Sequence, residues 1–324
     1  MRKLPLIFLV IVIMSCSREK INTRVSGAVF GTTYSIIYDS EKDFQKSFDS
    51  LFDVINRSLS TYLTDSDISR INRNEAVTVD EHFKKVLEAS TIIFRNTKGA
   101  FDPTIGAVVN AWDFGPEGRI ESLDSLKIAR LMTSVGLDKV HISKEMVIKP
   151  SETYLDFNAI AKGYAVDVIG EFLEGEAIEN YLVEIGGEIL SRGINVEKLA
   201  AWKVGIDRPN FDGSQSIFST LNLENAAMAT SGTYRKFKTD SSGNRYAHII
   251  DTETGYPAKS SILSVSVISE TCMMADGYAT ALQAMEIEKI KDFLNNHPEL
   301  KVMIIYEGDK NQFETLTFND FPNK

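Results

Sequence analysis

Cysteine is almost absent from this 324-residue chain, which carries only Cys16 and Cys272. So few thiols exclude a disulfide scaffold, and the core of the protein must suffice by itself, which is easy at this length. Histidine is also scarce. His82, His141, His248 and His297 are widely scattered and no C-x-x-C occurs, which argues against a zinc site. Positive charge is in deficit: 35 Lys and Arg face 45 Asp and Glu, for a formal net charge of −10. Such a surface lacks the basic footprint of a nucleic-acid binder. It does not exclude an anionic small molecule, because a bound metal can invert the local field. The sequence has no G-x-G-x-x-G, Walker loop, G-x-S-x-G or H-E-x-x-H. Any nucleotide is therefore handled outside the common folds. Internal repeats, low-complexity tracts and Pro/Gly-rich linkers are missing too, so one body from about residue 24 is the simplest organisation.

The N-terminus is set apart from that body. Met1-Arg2-Lys3 is a positive start, Leu4 to Met14 is apolar, and Ser15-Cys16 closes the segment. An apolar run this short does not span a bilayer, but it suits the core of a signal peptide. A cysteine at that boundary reads as a bacterial lipoprotein signal: residues 1–15 are removed and Cys16 is acylated. An ordinary signal peptide with an incidental cysteine is the alternative. Residues 16–23 would tether the domain to the outer side of a bacterial membrane, facing the periplasm or the cell exterior.

Hydrophobic periodicity then predicts the elements. Val25–Tyr38 reads as a strand or bent strand pair interrupted by Gly31. Helical spacing follows in Phe44–Leu59, Ser66–Asn72, Asp80–Thr97 and Ser122–Val135. Lys139–Ser143, Met146–Lys149 and Thr153–Phe157 read as strands, Ala161–Leu173 as a helix, and Tyr181–Ile185 as a strand. Strands are expected at Trp202–Asp207, Ile217–Leu223, Tyr246–Asp251 and Ile262–Ser269. Helices at Met273–Met285 and Ile287–Asn295 precede strands at Lys301–Tyr306 and Phe313–Phe318. These uneven runs predict an α+β fold rather than a doubly wound α/β one.

Two segments carry most of the chemistry. In Cys272–Leu282, Asp276 and Thr280 are four residues apart, hence on one helix face, among Ala275, Ala279 and Ala281. A solvated Asp and a packed Thr would look the same; the small neighbours favour close approach of a ligand. In Asp156–Gly163 a carboxylate, a turn and Lys162 stand before a helix, where backbone N–H groups attract anions. A turn carbonyl such as that of Ala159 could complete a shell of hard oxygens. Such ligands with one cation suit Mg²⁺ and a phosphate-bearing substrate. His248, followed by Asp251, is a candidate base or substrate contact, or a half-buried structural histidine. Aromatics in Ser60-Thr61-Tyr62 and Gly99–Thr104 could stack a flat ring or simply seal loops.

Taken in order, these segments resemble the ApbE family of FAD:protein FMN transferases. The resemblance runs through Phe30–Tyr34, Leu59–Tyr62, Ser66–Asn72, Gly99–Thr104, Asp156–Asp167 and Val183–Glu188, then Ala229–Gly232, His248–Asp251 and Ala275–Thr280. It covers nearly all of the chain after the signal segment. The resemblance implies a single-domain α+β fold, related to the T-fold, with mixed sheets and packed helices. It implies Mg²⁺-dependent transfer of FMN from FAD to a Thr or Ser hydroxyl of an acceptor protein, releasing AMP. The metal would be held by Asp276, Thr280 and the Ala159 carbonyl. FAD would contact Phe30, Tyr62, Ala100, Phe101, Asp102, Asp156, Lys162 and the His248–Ile249 strand. The family often has Met where Phe30 stands, and glycines where Phe157-Asn158-Ala159 stand. Asp276 or His248 would serve as the base.

The family's acceptor motif has Gly-Ala followed by Thr or Ser. Gly-Ala occurs here at 27–28, 99–100 and 106–107, followed by Val29, Phe101 and Val108. None fits, so the acceptor is expected to be another protein, such as a redox subunit of a membrane complex. An FAD pyrophosphatase, or a flavin-binding lipoprotein without turnover, is the competing reading.

Overall fold

The computed structural model describes residues 21–118, 120–234, 236–239, 245–308 and 312–322. The predicted signal peptide, Cys16 and tether residues 17–20 lie outside them.

A hairpin opens the fold. Strands β1 (Thr23–Val29) and β2 (Thr32–Tyr38) pair with Val29 opposite Thr32, leaving Phe30-Gly31 as the turn. Both turn residues have positive φ, 50° and 74°, as a type I′ turn requires. Gly31 adopts this conformation readily, whereas Phe30 is strained by it. Helices α1 (Gln45–Leu59), α2 (Asp67–Asn72) and α3 (Glu81–Asn96) follow. Ser66 and Asp80 cap α2 and α3 by accepting from the N–H groups of Ser69 and Phe83. Short helices α4 (Gly106–Ala111) and α5 (Ser125–Met132) and a small hairpin, β3 (His141–Ser143) with β4 (Met146–Ile148), lead to α6 (Ala161–Gly175).

Next come β5 (Tyr181–Ile185), β6 (Glu188–Arg192), β7 (Trp202–Asp207), β8 (Ile217–Leu223) and β9 (Ala227–Gly232). The hairpin β10 (Phe237–Thr239) and β11 (Arg245–Ala247) precedes β12 (Ile262–Ser269). Helices α7 (Cys272–Ala284) and α8 (Ile287–Leu294) and strands β13 (Lys301–Glu307) and β14 (Phe313–Phe318) complete the chain.

Eight strands form one antiparallel sheet, in the order β1-β2-β5-β6-β9-β12-β13-β14. Each half of it is two strands, a connecting helix and two strands: β1-β2-α6-β5-β6, then β9-β12-α7-β13-β14. The topology is thus duplicated although the sequence shows no repeat. The β6–β9 joint is short, with Ile189 opposite Met228 and Leu190 opposite Ala227.

Period-two alternation sends the strand side chains to two separate cores. Val302 and Ile304 of β13 join the main core beneath the helices. Met303 and Ile305 join a second core with Val204, Ile206, Leu221 and Leu223 of the β7–β8 hairpin, on the opposite face. The α+β class predicted from the sequence is the one found.

Three predicted elements are corrected. Thr153–Phe157 is not a strand: beyond one bridge from Tyr154 to Ile105, the Asn72 side chain satisfies both backbone groups of Leu155, each at 2.8 Å. An amide side chain here does the work of a neighbouring strand. Tyr246–Asp251 leaves the sheet after Ala247, because Asp251 accepts from the N–H groups of Glu253 and Thr254 and starts a turn. The Ser122–Val135 helix contracts to α5, which begins only after Asp124 caps it. Strand β6 and helix α4 were not anticipated; β9 and β10 fall within Ala201–Val267, a stretch that reads from the sequence as mainly strands and turns, without bounds of their own.

Candidate active site

Helices α6 and α7 carry the two chemistry-bearing segments and meet at their N-terminal turns. No side chain caps α6 locally; instead, the Gly163 N–H donates to Asp276 Oδ2 of α7 at 3.0 Å. In return, Asp167 of α6 accepts from the N–H groups of Cys272 and Met273 at 2.7 and 2.8 Å, at the start of α7. Each helix therefore supplies the carboxylate that satisfies orphan donors of the other. The contact requires glycine at 163. A Cβ there would stand 2.3 Å from the Cys272 carbonyl oxygen and 2.8 Å from Asp276 Cβ.

Asp276 is held in this way, 3% exposed, at the floor of a cleft of about 890 Å³. That volume lies at the upper end for small-molecule sites and suits a ligand of dinucleotide size. Every residue predicted for the site lines this one cleft: Phe30, Tyr62, Ala100, Phe101, Asp102, Asp156, Ala159, Lys162, His248, Ile249, Asp276 and Thr280.

Their chemistry divides along the cleft. At one end, Thr280 Oγ1 lies 3.1 Å from Ser231 Oγ on β9, one turn beyond Asp276. Lys162 Nζ stands 3.8 Å from Asp276 Oδ2 and 2.9 Å from Glu188 Oε1. Among the described residues, no three His, Cys, Asp or Glu side chains cluster to hold a metal. A full protein cage is therefore absent there. One carboxylate, one hydroxyl and a carbonyl at Ala159 fit a hard, largely hydrated cation such as Mg²⁺, which completes its shell with water and substrate phosphate.

Elsewhere the walls are apolar and aromatic. Tyr62 is 59% exposed at the mouth, and Phe30 meets Phe52 edge-on at 5.7 Å. Phe101 is buried in the main core, so its ring seals the loop that lines the cleft. Asp102 is likewise occupied: it accepts from the Thr104 N–H and hydroxyl and from the Leu137 N–H. Burial pushes its carboxyl upward against those bonds. Its carboxylate thus braces the loop that forms the wall.

Asp156 accepts from the Asn158 N–H at 2.8 Å, and burial raises its carboxyl as well. Lys236 faces it across the cleft; burial lowers that ammonium, and the attraction of Asp156 opposes the shift. Lys236 donates to the Phe114 carbonyl, and its own carbonyl lies 2.9 Å from His248 Nδ1. Donation from Nδ1–H to that carbonyl fixes the tautomer in which Nε2 is the proton acceptor. Glu188, Ser231 and Lys236 were given no role from the sequence. Glu188 and Ser231 fall inside segments singled out there, but only the fold brings them to Lys162 and Thr280.

Fold and cleft together define an α+β protein with one large cleft, its walls apolar and aromatic and its floor carrying a carboxylate–hydroxyl pair on a buried helix. The chain belongs to the ApbE family, whose profile matches residues 30–304. It is 36% identical over 277 residues to the FAD:protein FMN transferase of Haemophilus influenzae, covering 82% of this chain and 79% of that one. The enzyme of the same name from Vibrio cholerae is 36% identical over 279 residues, covering 83% and 82%. Among solved structures, the flavin transferase ApbE from Vibrio cholerae superposes with a TM-score of 0.82 at 33% identity, over 92% of this chain and 97% of that one. The apo flavinyl transferase ApbE of Pseudomonas stutzeri also gives 0.82, at 27% identity, over 93% and 96%.

Proposed function

We propose that this chain transfers FMN from FAD to a Ser or Thr hydroxyl of another protein and releases AMP. The observation that carries this reading is the convergence of Asp276, Thr280 and Lys162 at one end of a cleft with aromatic and apolar walls. The flavin lies against the apolar wall near Phe30 and Tyr62. The pyrophosphate lies toward Lys162 and the N-terminal turn of α6, where ammonium and backbone dipole both favour negative charge. The acceptor oxygen attacks the FMN phosphorus, a P–O bond forms, and the bridging bond to AMP breaks. His248 accepts the hydroxyl proton at Nε2, its ring oriented by the Lys236 carbonyl. Mg²⁺ held by Asp276, Thr280 and the Ala159 carbonyl would supply neutralisation of the pyrophosphate charge. Little covalent work falls to the protein, so orientation and charge placement dominate.

The acceptor is a separate chain, because no Gly-Ala here is followed by Ser or Thr. Acylation at Cys16 would keep the enzyme on the outer side of a bacterial membrane, beside such acceptors.

The test is incubation of purified protein with FAD, Mg²⁺ and a candidate acceptor, following AMP and acceptor mass. Acceptor gaining the mass of FMN supports transfer. AMP and free FMN without that gain would replace it with hydrolysis, and bound FAD without AMP would leave binding alone. Asp276→Ala should lower turnover about a hundred- to a thousandfold, on the order expected for loss of a main electrostatic group. Normal transfer by that variant would remove Asp276 from the mechanism.

A further inference from the structure

The Lys162 ammonium sits between two buried carboxylates, at unequal distances. Glu188 Oε1 is 2.9 Å away and Asp276 Oδ2 is 3.8 Å away. Glu188 opens β6 directly after the Gly186-Gly187 turn and is 2% exposed. Its other oxygen, Oε2, is buried without a hydrogen-bond partner. Leaving such an atom unpartnered costs about 1–3 kcal/mol, more when it is charged. A merely structural Glu188 would be a poor choice for this position.

We propose that Glu188 is a positioning residue that holds Lys162 off Asp276, keeping the Asp276 carboxylate available to a divalent cation. The inference rests on the reading of Asp276 as a metal ligand. Coulomb attraction scales inversely with distance, so the ammonium favours the nearer oxygen, and Glu188 wins it from Asp276. Without the Glu188 charge, Asp276 is the remaining carboxylate of the cluster. Lys162 then closes on it and competes with the cation. Glu188 thus acts from outside the ligand set, through Lys162, as outer partners of metal sites commonly do.

The experiment is a double-mutant cycle on Mn²⁺ affinity, measured by electron paramagnetic resonance on the full chain in detergent without FAD. Glu188→Gln should weaken Mn²⁺ binding at least about tenfold, the usual range for an outer partner. Lys162→Met should change affinity little in the native background, where Glu188 already holds the lysine. In the Glu188→Gln background the same change should recover most of the lost affinity. This non-additivity separates competition by Lys162 from a plain field effect of Glu188, which would make the two gains equal. Equal gains, or Glu188→Gln binding Mn²⁺ as native protein does, would overturn the proposal. Native protein that binds no Mn²⁺ would overturn the metal reading beneath it. Thermal unfolding guards against misfolding: Glu188→Gln should keep a single cooperative transition, because Lys162 re-pairs with Asp276 once the Glu188 charge is gone. If it fails to fold, Glu188→Asp keeps the charge and should keep Mn²⁺ affinity within a few-fold; a loss as large as that expected for Gln counts against the proposal.

Discussion

Gly163 and Phe30 show how single positions link backbone geometry to the cleft. At Gly163, absence of a side chain lets the first turn of α6 lie against α7 and donate its N–H to Asp276. Gly163→Ala places a methyl group against the Cys272 carbonyl, and neither helix has slack, since both are buried in the same core. Overpacking of this kind costs about 1–3 kcal/mol. The expected outcome is a lowered urea midpoint together with a fall in turnover, because Asp276 moves with the helix. Retained turnover at lowered stability would show that Asp276 tolerates displacement. Phe30 presents the opposite balance. Its positive φ is a strain of about 1–3 kcal/mol that asparagine bears more easily, while its ring packs edge-on against Phe52. Phe30→Asn should therefore leave the thermal midpoint nearly unchanged and raise KM for FAD, as the flavin loses an apolar wall. A large drop in midpoint with unchanged KM would assign Phe30 to packing rather than to the ligand.

At the scale of elements, α6 and α7 are tied by reciprocal capping, and that tie is sensitive to pH. Burial pushes the Asp167 carboxyl up to about 7, overriding the two backbone N–H bonds that favour its ionised form. The unfolded value is about 3.9. A folded pKa raised above the unfolded one means that the native state binds the extra proton between these values. The stability contribution of Asp167 is thus complete below about pH 4 and is lost as pH rises through 7. Asp167→Asn keeps one acceptor and removes the titration. Urea midpoints at pH 5 and pH 8 should differ less in the variant than in native protein; an equal difference would place the pH dependence elsewhere. None of this tie was legible in the sequence. Asp276 and Thr280 could be seen because both lie on one helix at a spacing that geometry dictates, and Asp156 to Lys162 because they are contiguous. Asp167, Glu188 and Ser231 act across long sequence separations, and no local pattern reports such contacts. The elements were legible where burial is one-sided, as in α1, α3 and β7. They were missed where Asn72 replaced a strand partner, and missed or left without bounds where β6 and β9 are buried along nearly their whole length and show no alternation.

Across the whole molecule, two halves of like topology meet at a strand joint only two residue pairs long. Such a joint alone would let the halves open separately. What holds them is the helical layer: α6 and α7 pack against each other and over strands from both halves, in one continuous core that runs from Tyr34 and Ile36 to Val302 and Ile304. Burial shared between halves couples their unfolding, since opening either one exposes apolar surface of the other. The two tryptophans provide separate reporters. Trp202 is buried on the far face, its indole N–H donating to the Arg192 carbonyl. Trp112 lies two residues before the cleft-lining Phe114, donating to the Gly255 carbonyl and packing against Tyr246 and Tyr256. Replacing either one by Phe leaves a single-tryptophan chain. Urea unfolding followed by the fluorescence of each variant and by far-ultraviolet circular dichroism should give coincident transitions, once midpoints are corrected for the substitution itself. Loss of Trp112 fluorescence ahead of Trp202 and of the helical signal would show that the cleft wall opens on its own. The α6–α7 layer would then bind the sheet halves without binding the loops that enclose the ligand.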